Sequence, residues 1–176
     1  RELALASDGE VDNLLAGQGT LVKSGSGVAA LTAAGSAMGT VDVAAGTLGL
    51  AYRGQLTAID FTVRDGATAS IGESARLTLS GAYVQAVSGT LDVEVGNNQP
   101  AITADRAALN GALNVSGFGG GVLRQASSIT ANSFLVVKTA TAMAKGFDNV
   151  SIGGSGSDVD YLTVGGFLRN SDTEYA

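Results

Sequence analysis

Gly39-Thr40-Val41-Asp42-Val43, followed at once by Gly46-Thr47-Leu48-Gly49-Leu50, holds two four-residue alternating pieces parted by a small-residue corner. Apolar residues at every second position, bounded by Gly, mark short strands with one buried face. Strands of four residues have no independent stability and need a neighbour about 4.8 Å away on which to stack. The same phrase returns along the chain as Gly19-Thr20-Leu21-Val22, Phe61-Thr62-Val63, Gly89-Thr90-Leu91-Asp92-Val93 and Gly111-Ala112-Leu113-Asn114-Val115. Measured at Leu21, Val41, Val63, Leu91 and Leu113, the steps are 20, 22, 28 and 22 residues. Repeats of that length are one turn of a solenoid.

Between these phrases lie further alternating pieces, Val28 to Gly35 and Arg76-Leu77-Thr78-Leu79, so each coil is expected to hold two or three strands. Leu, Val, Ile and Ala point inward; Thr, Ser, Asp and Arg point outward. The single proline, Pro100, follows Asn97-Asn98-Gln99 in a turn, where no ladder donor is lost. The expected fold is all-β: a right-handed parallel β-helix of about five coils over residues 1–132, closed by a C-terminal β-hairpin cap over 133–176. Its rival is an antiparallel β-sandwich, which also uses short strands and frequent turns. Residues 1–18 read as remnants of a coil, and the one brief helix expected is Asp105 to Asn110.

Composition excludes several chemistries. The 176 residues contain no His and no Cys, which rules out Ser-His-Asp and Cys-His catalysis, disulfides, and zinc or haem held through those side chains. A net charge of -6 argues against nucleic acid or an anionic membrane as partner. Hydrophobic content of 45% supports a folded chain despite 26 glycines. The start, Arg1-Glu2-Leu3-Ala4-Leu5-Ala6, has no initiator Met and no signal-peptide pattern, so the chain is expected to be a piece or mature form of something larger.

The tail reads differently from the body. Phe134-Leu135-Val136-Val137 and Asp160 to Arg169 are apolar runs separated by polar turns, and three of the five Phe lie after position 133. A repetitive body with a non-repeating aromatic end is the pattern of a capped solenoid.

Gly19 to Thr32 and Gly46-Thr47-Leu48 resemble the passenger repeats of bacterial autotransporters, the type V secreted proteins of Gram-negative outer membranes. Phe134 to Lys138, Phe147 to Ile152, Asp160 to Phe167 and Tyr175 resemble the autochaperone or junction region of an AIDA-like adhesin. The resemblance implies a cell-surface or secreted passenger segment that is no enzyme, binds no cofactor and does not insert into the membrane. Its implied partners are upstream passenger coils and the downstream translocator barrel of the same polypeptide, with self-association or a host receptor for the parent adhesin. The tail is expected to nucleate folding through an apolar plug of Phe134, Leu135, Val137, Tyr161, Leu162, Val164 and Phe167. The bland alternative is that the plug only shields a sheet edge.

Other functions remain open on the residues. A stalk that itself binds host glycan or protein would use the outward Ser and Thr ladders. A β-helical polysaccharide hydrolase would need converging carboxylates; the candidates are Asp42, Asp60, Asp65, Asp92 and Glu94, with Asp42 and Asp92 at the same repeat position. Gly153-Gly154-Ser155-Gly156-Ser157-Asp158-Val159-Asp160 nearly matches a calcium-binding nonapeptide but has Asp160 at the apolar position, and reads as a hairpin loop. Gly117-Phe118-Gly119-Gly120-Gly121 lacks the strand-to-helix setting of a phosphate loop and reads as a corner before the cap. No metal site is expected.

Overall fold

In the computed structural model, residues 1–95, 99–117, 134–153 and 165–176 are described. Every element among them is a strand, and no helix there is long and apolar enough to cross a membrane. The strands build three sheets, each taking one strand from every coil. Sheet 1 holds β1 (Glu2–Leu5), β3 (Thr20–Lys23), β6 (Thr40–Val43), β9 (Asp60–Val63), β12 (Ala82–Gln85) and β15 (Arg106–Ala108), in that order. Sheet 2 holds β2 (Gly9–Val11), β4 (Val28–Leu31), β7 (Thr47–Leu50), β10 (Thr68–Ile71), β13 (Thr90–Glu94), β16 (Ala112–Ser116) and β18 (Asn149–Ile152). Sheet 3 holds β5 (Ala34–Ala37), β8 (Gln55–Ala58), β11 (Arg76–Leu79), β14 (Ile102–Ala104) and β17 (Val137–Thr139), then β20 (Glu174–Tyr175) and β19 (Leu168–Arg169).

Among the described residues the coil-to-coil pairs are parallel, which excludes the sandwich and makes the body a β-solenoid of about five turns. The alternation explains the core. In β6 the inward Val41 and Val43 are 2% and 0% exposed, while Thr40 and Asp42, which alternate with them, are half-buried. Register stacks inward residues in columns: Leu21, Val41, Phe61 and Tyr83 on sheet 1, and Leu56, Leu77, Ile102 and Val137 on sheet 3. Phe61 and Tyr83 lie ring over ring at 5.9 Å. On sheet 2, Leu48, Ala69 and Leu91 alternate large and small, which fills the interior without overpacking.

Corners need residues that bend sharply and sit close to the coil below. Gly46 has φ +67°, and a Cβ there would run into the carbonyl oxygens of Gly25 and Gly27. Only glycine meets both demands without strain.

Three expectations are corrected. The five-fold phrase is two series: Leu21, Val41 and Phe61 belong to sheet 1, whereas Leu91 and Leu113 belong to sheet 2. Val41 pairs with Phe61, and Val63 pairs with Val43, so aligning Val41 with Val63 was two residues out of register. Alternation fixes which face a residue takes, and a shift of two preserves it. The helix expected at Asp105 to Asn110 is instead strand β15, because β12 offers a ladder edge that outweighs local helix preference. The first eighteen residues do contribute a coil, through β1 on β3 and β2 on β4.

Candidate functional site

The C-terminal cap is the part of the molecule that departs from the solenoid rule. β17 continues sheet 3 in parallel on β14, but its other edge is covered by β20 running antiparallel. β19 then pairs antiparallel with β20, closing a hairpin. The reversed strand interrupts the parallel ladder of sheet 3 at β17.

The hairpin is tight. Asn170, Ser171 and Asp172 all have φ between 52° and 61°, the left-handed region that costs ordinary residues about 1–2 kcal/mol each. Side chains hold it there: Thr173 Oγ1 donates to Asn170 O at 2.7 Å, and the Asn170 amide donates to the Glu174 carboxylate. Glu174 is 9% exposed and also takes Arg169 Nε at 3.0 Å and lies 3.6 Å from Lys138 Nζ. One buried carboxylate thus joins the three strands of the cap.

Beneath the hairpin lies a small apolar cluster. Val136, Val137, Met143, Phe147 and Tyr175 are all buried. Tyr175 meets Phe147 edge-on at 5.1 Å, and a Cβ on either Gly146 or Gly166 would overlap its ring or hydroxyl. Burial pushes the Tyr175 hydroxyl above its ordinary pKa, partly offset by a hydrogen bond with the Phe147 backbone. The backbone around the ring is tied as well, Val136 N to Tyr175 O at 2.9 Å and Thr139 N to Thr173 O at 2.8 Å.

Of the expected plug, Val137 is fully buried and Phe134 and Leu135 are half-buried, Phe134 against the main core. Phe167 is 51% exposed; it contributes its backbone, paired in both directions with Ala176. Tyr161, Leu162 and Val164 lie outside the described residues, as do Gly154 to Asp160 of the calcium-like stretch and Phe118 to Gly121 of the glycine loop. Met143, Phe147, Glu174 and Tyr175 were not in the expected plug. A Glu-Tyr strand of two residues carries no periodicity to read.

The opposite end contrasts with the cap. β1 and β2 have one ladder edge each, and sheet 3 there shrinks to a single bridge, Ala16 with Ala37. Leu3 and Leu14 are 41% and 62% exposed beside an open groove of about 620 Å³ that Leu15 and Met38 also line.

The carboxylates considered for glycan cleavage are tied between coils. Asp42 takes Arg64 through both oxygens at 2.8 and 2.7 Å, and that contact raises the arginine pKa. Asp60 accepts Ala82 N at 2.7 Å, Asp92 accepts Asn114 Nδ2 at 2.8 Å, and Glu94 accepts Glu73 N at 3.2 Å. Asp65 accepts Ser88 N and Oγ, which lowers its pKa. Asp148 is lowered likewise, first by Lys145 and then by Gly111 N. Asp42 and Asp92 do not share a repeat position: one stands on sheet 1, the other on sheet 2. Among the described residues no cluster of three or more Asp and Glu is arranged to hold a metal ion. Comparison with protein-family models, with curated proteins and with solved structures gives no match to this chain.

Proposed function

We propose that this chain is the C-terminal passenger segment of an autotransporter-type surface protein, and that its cap nucleates and stabilises the stacking of coils during secretion. The observation that carries the proposal is the unlikeness of the two ends. At the C-terminal end an antiparallel hairpin with its own buried cluster covers the edge of sheet 3, whereas at the other end sheet 3 dwindles to a single bridge beside exposed leucines. In a molecule whose coils touch only their neighbours, growth from a finished end towards an open one is the favourable order, since each added coil meets a formed template. The open end then receives upstream coils of the same polypeptide, and the cap lies towards a translocator barrel. The parent protein acts at the cell surface in adhesion or self-association.

A second reading treats the segment itself as the binding stalk. It is favoured by the exposed file Thr57, Thr78 and Thr103 on sheet 3, with Lys138 next in register.

Pulse-labelled hydrogen exchange during refolding of the intact chain tests the folding proposal. The amides of Val136 and Thr139 should become protected before those of Val22 and Lys23. Protection of the N-terminal coils first, or of all together, would reject it.

A further inference from the structure

Two polar side chains are fully buried in one inward column of sheet 1. The column runs Lys23, Val43, Val63, Gln85 in direct register, and all four are 0% exposed. Lys23 Nζ donates to Ser24 O and Gly25 O at 2.9 Å in its own corner and to Ala45 O at 3.4 Å in the next coil. No carboxylate among the described residues pairs with it. Gln85 repeats the arrangement three coils on. Its amide nitrogen lies 3.0 Å from Gly89 O in its own corner and 2.8 and 3.0 Å from Asn110 O and Ala112 O of the next coil. Its oxygen accepts the Tyr83 hydroxyl, and its own carbonyl accepts Asn110 Nδ2.

We infer that Lys23 and Gln85 are register keys: positioning residues that select which stacking of one coil on the next is allowed. The need arises from the apolar pattern. A two-residue slip keeps every inward residue inward, and Val43 and Val63 carry nothing to oppose it. Slipped by two, Lys23 would lie opposite Val41 in mid-strand, keeping Ser24 O and Gly25 O of its own corner but losing Ala45 O of the next coil, because the carbonyls it then faces are already used by the ladder. The buried ammonium would then have one acceptor fewer than in the native state, and in the same slip the Gln85 amide would lose both Asn110 O and Ala112 O. Gln85 penalises the same slip three coils on. Each key spans a coil and its C-terminal neighbour, so the check is made pairwise as coils are laid down. This role stands whether or not the cap nucleates folding.

Engineered cysteines test it, in a chain that has none of its own. Val22 and Asp42 are outward register partners, so Val22→Cys with Asp42→Cys should cross-link in the native stacking, with Cα atoms about 5 Å apart. Val22→Cys with Thr40→Cys reports the slip, being a diagonal pair about 8 Å apart in the native state and outside disulfide reach. Adding Lys23→Met, an apolar side chain of similar length, should raise the slip cross-link at least about tenfold, the factor expected when a modest preference is removed. Gln85→Met, read through Val84→Cys with Ala108→Cys for the native stacking and Val84→Cys with Arg106→Cys for the slip, should do the same. Native cross-links only, in both variants, would overturn the inference. So would loss of folding in both, because the side chains would then supply stability and not selection.

Discussion

Replacing Tyr175 by alanine separates a folding nucleus from an edge cover. The ring is 2% exposed, meets Phe147 edge-on, and is packed against Gly146 and Gly166. Removing a buried aromatic with such a pairing costs about 4 kcal/mol. If the cap is about 70% formed in the folding transition state, refolding slows about 100-fold and unfolding quickens less than about tenfold. If the cap forms last, refolding is unchanged and unfolding quickens nearly about 1,000-fold. The assay is a urea chevron on the intact chain followed by far-ultraviolet circular dichroism. Leu21→Ala, in the first full coil and 0% exposed, is the matched control. It should cost about 2–5 kcal/mol and act almost wholly on unfolding. A refolding rate for Tyr175→Ala within about threefold of the parent refutes the nucleus, because φ is then near zero.

Other outcomes follow from the same geometry. A chain ending at Ser133 loses β17, β18 and the hairpin, and should unfold at a clearly lower urea midpoint than the full chain; equal midpoints would reduce the tail to an edge cover. Gly46→Ala forces a Cβ into a left-handed corner and onto two carbonyls, so thermal melting should show a loss of more than about 1–2 kcal/mol, the conformational part alone. Asp65 and Asp148 have folded pKa values below the ordinary carboxyl value, so they add stability above about pH 4 that is lost as pH falls through their lower folded values. Urea midpoints should therefore be flat near neutrality and drop in acid, and the double variant Asp65→Asn, Asp148→Asn should flatten part of that drop.

How much of this was legible in the sequence follows from what four-residue strands can encode. Thr40-Val41-Asp42-Val43 states its face plainly, and so the all-β solenoid, its coil number and its core follow from the alternation. Register is another matter. Val41 beside Val63 is as good a match as Val41 beside Phe61, and what ties one coil to the next stands at the corners, as in Gly46 against Gly25, Lys23 on Ala45 O and Gln85 on Asn110 O. Those contacts join residues 20 or more positions apart and leave no local pattern. The same holds for the cap. Val137 was readable because it ends the apolar run Phe134 to Val137, whereas Tyr175 belongs to a two-residue strand whose partner is 38 positions away. A hairpin that strains three residues at Asn170, Ser171 and Asp172 persists only where surrounding contacts over-determine it. Here those contacts are Glu174 with Arg169, Asn170 and Lys138, and the ring of Tyr175 beneath. Strain of that kind is tolerable in a block that holds together through its own contacts, and it would be a poor choice for a segment that merely rests on the end of a finished solenoid.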